Sequence, residues 1–234
     1  MTPLVDLRQV RFTWPKQARP VLDLADFQVM PGERVFLRGP SGSGKSTLLG
    51  LISGVLSPQE GEIRLMGEDL TTCSSARRDR MRADHLGIIF QLFNLVPYLG
   101  VVANVALPLR FSPRRRAAIS GAPEAEARRL LTALGLTDPD LLERRVIDLS
   151  VGQQQRVAAA RALIGAPDLV IADEPTSALD TLARDQFIEL LAGEAERTGA
   201  GLLFVSHDPG LASHFERSVD LTEINRASQT EPAA

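Results

Sequence analysis

Gly39 to Thr47 reads GPSGSGKST and fits the pattern G-x-x-x-x-G-K-[ST], a loop that wraps the phosphates of a nucleotide. Gly39, Gly42 and Gly44 permit backbone conformations closed to residues with a Cβ, so the N–H groups of the loop, those of Ser41 and Ser43 among them, can converge on phosphate oxygens, with Pro40, which has no N–H, as part of the loop that holds them. Lys45 supplies a point charge for the β- and γ-phosphates, and the Ser46 hydroxyl suits Mg²⁺. The pattern gains weight from its setting. Pro31-Gly32 marks a turn, Arg34 to Leu37 reads as a short strand, and Lys45 to Ser53 opens a helix whose positive end points at the same anion.

A second string lies far downstream: Leu149 to Arg156 reads LSVGQQQR. Ser150 and Gln153 fit the capping box S-x-x-Q, which starts a helix whatever else the helix does. With a phosphate loop upstream, it also offers a helix N-terminus at which the γ-phosphate of a nucleotide held by a second copy can bind. Asp173 and Glu174 follow the apolar run LVIA, and His207 follows LLFV-S. Either pairing alone is weak, because acidic residues and histidines often end strands.

Taken in chain order, Trp14, the phosphate loop, Gln91, LSVGQQQR, Asp173-Glu174, Ser177-Ala178-Leu179-Asp180 and His207 resemble the motif set of the ATP-binding cassette family, the ATPase subunits of ABC transporters. The resemblance spans most of the chain. It implies that Trp14 stacks on adenine, that Gly39 to Thr47 hold the phosphates of ATP, and that Ser46, Gln91 and Asp173 serve Mg²⁺. It further implies that Glu174 is the catalytic base, with Lys45, Gln91 and His207 beside it. Ser150, Gly152 and Gln153 would meet ATP across a dimer, and Asp180 would run along the interface, although a helix N-cap suits Asp180 equally well. The family consensus LSGGQ is broken at Val151. A β-branched residue strongly disfavours positive φ, so position 151 is expected to take ordinary backbone geometry and turn its side chain from phosphate.

Composition sets outer limits. The chain has 234 residues, 44% of them hydrophobic, and a formal charge of −3, which suits one globular domain and does not suggest nucleic acid as a partner. Cys73 is the only cysteine, so no internal disulfide forms and a reducing compartment fits. No run of about 18 apolar residues exists to span a membrane. The start, MTPLVDLRQVRF, carries charges where a signal peptide needs an apolar core.

Apolar positions at Val5, Leu7, Val10 and Phe12, near Phe27 to Val29 and between Gly61 and Gly67 suggest strands, with an antiparallel portion near the N-terminus. Phe12 faces the core in this reading. Residues 70–85 are basic and read as a solvated helix face. His85 to Phe90 and Asp168 to Ala172 are further strands, Asp180 to Glu196 a helix and Leu202 to Val205 a buried strand. Strands alternating with helices predict an α/β fold, a P-loop NTPase core with a mostly parallel sheet. Residues 92–165, punctuated by Pro97, Pro108, Pro113, Pro123 and Pro139, read as an inserted helical subdomain between core segments 1–91 and 166–226. The last residues, 227–234, read as a tail.

The resemblance carries an expectation of function. One chain holds half of each of two sites, so ATP hydrolysis requires a homodimer or pairing with a similar chain, and the work passes to a separate membrane permease. That places the protein on the inner face of the membrane, cytoplasmic and peripheral. The stretch LFNLVPYLGVVANVALPL after Gln91 lies where a permease loop is gripped in the family, with Phe93, Leu95, Val96, Pro97 and Tyr98 as candidates for an exposed patch. This stretch and ADEPTSALD are similar to the branch serving lipoprotein release and macrolide export. An importer ATPase and a soluble ABC ATPase without a transport role are the alternatives.

Overall fold

The computed structural model describes residues 1–177 and 179–229. These fall into two compact units, residues 1–82 with the chain from 203 onward, and residues 83–202.

The first unit begins with an antiparallel sheet. Strand β1 (Val5–Phe12) pairs on one edge with β2 (Leu22–Val29) and on the other with β4 (Glu60–Leu65), which also pairs with β5 (Glu68–Asp69). The buried apolar residues of β1, Val5 and Leu7 and then Val10 and Phe12, change from odd to even positions. Only an extra residue can reconcile both pairs with one buried face. That residue lies at Gln9, with φ of 51°, where the register with β4 shifts between Arg8 and Arg11. Gly61 lies opposite: a Cβ there would sit 2.3 Å from the Gln9 carbonyl oxygen. Strand β3 (Arg34–Arg38) pairs in parallel with β9 (Arg217–Asp220) and runs into the loop before helix α1 (Lys45–Ile52). Short helices α9 (Leu221–Ile224) and α10 (Arg226–Gln229) end the described chain. The expected tail from Ala227 thus begins within α10, and residues 230–234 lie outside the described residues.

Helix α2 (Ser75–His85) buries only Met81, as its basic sequence suggests. Two of its arginines nevertheless turn inward. Arg78 donates to Gly54 O at 3.1 Å and Arg82 to Ser53 O at 3.3 Å, so cations sit at the negative C-terminal end of α1.

In the second unit β6 (Leu86–Ile89) pairs in parallel with β7 (Leu169–Asp173), in register from Leu86 with Leu169 to Ile89 with Ala172. Helices α3 (Val101–Ala106), α4 (Pro113–Ala117), α5 (Pro123–Ala133), α6 (Pro139–Leu142), α7 (Val151–Leu163) and α8 (Thr181–Thr198) surround or follow them. Pro113, Pro123 and Pro139 each stand at the start of a helix, where the missing N–H costs nothing and the fixed φ suits the first turn. Helix α7 crosses β6 at Gly87, where a Cβ would lie 2.2 Å from Ala162 O. Strand β8 (Gly201–Val205) returns the chain to the first unit. At its start Gly201 N–H donates to Asp168 O, and just past its end Ser206 N–H donates to Leu37 O. No helix among the described residues is long and apolar enough to cross a membrane.

Candidate functional site

The first unit gathers the phosphate loop, Trp14 and His207. Gly42 and Gly44 have φ of 83° and 101°, a region that side chains with a Cβ rarely enter. Gly44 caps α1, and Lys45 folds back so that its Nζ donates to Gly39 O at 2.7 Å and Pro40 O at 3.0 Å. The ammonium is therefore held at the loop by the loop's own carbonyls. Ser46 is exposed on the first turn of α1, whereas Thr47 is 7% exposed and belongs to the core. A Cβ on Gly39 would lie 2.7 Å from Ser43 Oγ, so the loop closes tightly on itself.

Strand geometry positions the other two residues. Trp14 is 39% exposed and meets the Phe12 ring edge-on at 5.1 Å, leaving much of its surface available while Phe12 fills the core. Gln59, which sequence reading passed over, brackets Thr13 with one bond to its N–H and one to its carbonyl, both 2.9 Å. It thereby orients the backbone that carries Trp14. No pattern signals such a glutamine, because its target is 46 residues away. His207 is exposed just past β8, and the Ser206 bond to Leu37 brings that strand end beside the end of β3, which enters the phosphate loop.

The second unit carries Gln91, Asp173, Glu174, Ser150, Gly152, Gln153 and Asp180. The register of β6 with β7 places Gln91, two residues past Ile89, at the same strand ends as Asp173, the edge at which ligands bind in open α/β sheets. Glu174 follows with φ of 46°, an uncommon conformation for a residue with a side chain and one that clusters at functional sites. Pro175 and Thr176 behind it are buried.

Ser150 caps α7 through the anticipated box: Gln153 N–H donates to Ser150 Oγ at 3.4 Å, and Ser150 N–H donates to Gln153 Oε1 at 2.9 Å. Val151 is the first helical residue, with ordinary backbone geometry and 52% exposure. Gly152 sits one turn position on, in helical geometry, and a Cβ there would meet Leu179 Cδ2 at 3.7 Å, an ordinary contact. Neither backbone nor packing within the described chain demands glycine at 152. Asp180 caps α8, accepting from Ala183 N at 2.9 Å. Ala178 lies outside the described residues.

The segment after Gln91 corrects one expectation. Phe93 is only 9% exposed, whereas Leu92 is 85% and Tyr98 80% exposed. The cause is a left-handed pair, Phe93 and Asn94, with φ of 59° and 48°. This pair reverses the side-chain alternation and turns Phe93 inward. Arg161 on α7 holds it by donating to Phe93 O at 2.5 Å and Asn94 O at 2.7 Å; burial pushes the Arg161 pKa down. The next turn hangs on Asn104, fully buried, whose Oδ1 accepts from Val96 N and whose Nδ2 donates to Val96 O and Leu99 O at 2.8, 3.0 and 3.2 Å. A polar residue inside the apolar run VVANVALPL was the available signal for this loop anchor.

As to Mg²⁺, Ser46, Gln91 and Asp173 offer oxygen donors only, the set a hard divalent cation prefers. Among the described residues no three His, Cys, Asp or Glu side chains gather as a metal site.

Comparison with known proteins bears on all of this. The profile of the family described as ABC transporter matches residues 22–177. An uncharacterized ABC transporter ATP-binding protein of Mycobacterium tuberculosis is 40% identical over 243 aligned positions, covering 99% of this chain and 94% of that protein. The lipoprotein-releasing system ATP-binding protein LolD of Anaeromyxobacter dehalogenans is 43% identical, covering 95% of this chain and 92% of its own. The macrolide export ATP-binding/permease protein MacB of Marinobacter nauticus is 37% identical over 94% of this chain, which spans 34% of that longer protein. Among solved structures, the dimeric bacterial ABC transporter cassette MJ0796 superposes with a TM-score of 0.81 at 33% identity, covering 92% of this chain and 93% of that one. The same cassette in a post-hydrolysis state bound to ADP and Pi superposes equally well.

Proposed function

The chain belongs to the ABC transporter family as an ATP-binding, ATP-hydrolysing subunit, and on that premise we propose that it works as a dimer in the branch that includes LolD and MacB, driving a separate membrane permease for release or export. The observation that carries the reading is the state of Gly152. The residue is half-buried, in the first turn of a capped helix, at a position where the chain itself would accept alanine. A glycine retained without an internal reason fits close approach by something outside the chain, here the γ-phosphate held by the second subunit.

In this reading the phosphate loop binds ATP with Lys45 already in place. Trp14 stacks on the base, its backbone fixed by Gln59. Ser46, Gln91 and Asp173 would hold Mg²⁺, which supplies positive charge to the phosphate oxygens. Glu174 accepts a proton from the attacking water, and the water oxygen bonds to the γ-phosphorus as the bond to the bridging oxygen of ADP breaks. His207, at the strand end beside the loop, orients the same phosphate. The exposed Leu92, Pro97 and Tyr98, on a turn stiffened by Asn104 and Arg161, form the surface for the permease. Residues 92–165 act as the helical subdomain that carries this surface and the α7 N-terminus.

Gly152→Ala separates fold from ligand. Alanine is the better helix former by roughly 0.5–1 kcal/mol, so the variant should melt no lower than the parent. Its ATP turnover should nevertheless fall at least about tenfold, a loss of roughly 1.4 kcal/mol at the transition state. Unchanged turnover would remove Gly152 from the site.

The branch assignment is tested by isolating tagged Glu174→Gln protein with ATP from native membranes and identifying what accompanies it. A permease with few spans and a large extracytoplasmic domain is expected. An importer-type permease would move the protein to uptake, and soluble proteins alone would end the transport reading.

A further inference from the structure

The chain end lies against the phosphate loop, and the contacts between them are specific. A cleft of ≈ 430 Å³ is lined on one side by Val21, Gly42 and Ser43 and on the other by Thr222, Ala227 and Ser228. Asn225, between α9 and α10, anchors the helices that supply the second side. Asn225 is 1% exposed. Its Nδ2 donates to Val21 O at 2.9 Å and to Ser228 Oγ at 3.1 Å, while its Oδ1 accepts from Asp23 N at 2.9 Å and Ala227 N at 3.2 Å. A side-chain amide has two N–H donors and one carbonyl acceptor, and all are engaged. An antiparallel bridge between Leu24 and Asn225 adds a backbone link.

What Asn225 grips on the far side matters for the loop. Val21 and Leu22 press on Gly44: a Cβ there would lie 2.9 Å from Leu22 Cδ2 and 3.3 Å from both Val21 Cγ1 and Val21 O. Gly44 is the left-handed residue that aims the N-terminus of α1. Leu221, fully buried, lies 3.5 Å from a Cβ placed on Gly39, and Asp220 beside it pairs with Arg38 at 3.1 Å. Both glycines that open and close the phosphate loop therefore rest on surfaces held by residues 220–228.

We propose that the segment from Asp220 to Ser228 is a working wall of the nucleotide cleft, with Asn225 as a positioning residue that holds Val21 and Leu22 against Gly44 and so sets the loop for the phosphates of the nucleotide. The proposal rests on Gly39 to Thr47 being the nucleotide loop. Asn225 touches no reacting atom, so its loss weakens nucleotide binding and leaves the chemical step alone.

Two measurements test it. In steady-state hydrolysis, Asn225→Ala should raise KM for ATP by about 5- to 10-fold, the scale of one buried hydrogen bond, with kcat within about twofold of the parent. A folded Asn225→Ala protein with unchanged KM, or with kcat lost and KM intact, would overturn the proposal. Because that variant can misfold, hydrogen exchange on the unaltered protein provides the second reading. Adding Mg²⁺ and ADP should slow exchange of the amides of Asp23 and residues 225–228 together with those of the phosphate loop. Protection of the loop alone would overturn the wall but spare the nucleotide site; protection of neither would overturn both.

Discussion

Glu174→Gln should cut steady-state ATP hydrolysis by roughly 100- to 10,000-fold, the range spanned by a positioned general base, while ATP remains bound. Glutamine keeps the size and shape of the side chain but carries no negative charge and cannot take the proton. The backbone argues that this side chain is aimed. Glu174 leaves the buried strand β7 with φ of 46°, a conformation that ordinarily costs a side-chain-bearing residue on the order of 1–3 kcal/mol. The turn that follows holds it there: Pro175 and Thr176 are buried, Leu179 N–H donates to Thr176 O, and Ser177 N–H donates to Glu174 O. The proposed sharing of a γ-phosphate by two subunits has a second expected effect. A protein that binds ATP without cleaving it should accumulate as the closed dimer, visible by gel filtration in ATP and absent in ADP. Phosphate release equal to that of the parent would exclude Glu174 as the base, and a monomer in saturating ATP would argue against the shared site.

Arg115→Ala should destabilise the protein by about 3–5 kcal/mol, among the largest effects available to one substitution. Arg114, Arg115 and Arg116 form one basic run, yet only Arg115 is buried, at 2% exposure. Its guanidinium donates to Leu86 O at 3.2 Å, Ala162 O at 2.6 Å and Ile164 O at 2.8 Å. It therefore ties the start of β6 to the last turn of α7, the helix that bears Ser150 and Gly152 at its other end. Burial, chiefly, and the neighbouring Arg114 push its pKa down to about 10, so it stays charged at neutral pH. Alanine would strand three buried carbonyls, each left without a donor at about 1–3 kcal/mol. Arg116→Ala should move stability by no more than about 0.5 kcal/mol. Arg114→Ala, breaking a partly exposed pair with Asp168, should cost about 0–1 kcal/mol. Urea denaturation of the three variants decides the matter: equal midpoints would mean that the buried contacts of Arg115 contribute nothing net.

The fold class was legible because its elements announce themselves locally. The strand before GPSGSGKST, the helix after it and the apolar run LVIA need only nearest neighbours in the chain to be recognised. Even the bulge at Gln9 was latent in the change from odd to even apolar positions between Leu7 and Val10. Phe93 shows the opposite case. The family resemblance suggested exposure, and a left-handed pair held by Arg161, on another helix, reversed it. The basic run of α2 suggests a solvated face, yet Arg78 and Arg82 serve carbonyls of α1 that no local pattern names.

By itself, then, the chain's sequence determined the phosphate-binding motif, the order of the chemistry-bearing residues and the family, because phosphate binding and hydrolysis require particular residue types at fixed short spacings. The tertiary structure alone decided which of three adjacent arginines is buried, whether Gly152 is needed by its own helix, and that Asn225 grips Val21 across 204 residues of chain. These depend on which atoms meet when distant segments close-pack, and a hydrogen bond to a backbone carbonyl leaves no trace in the identity of the residue that owns the carbonyl.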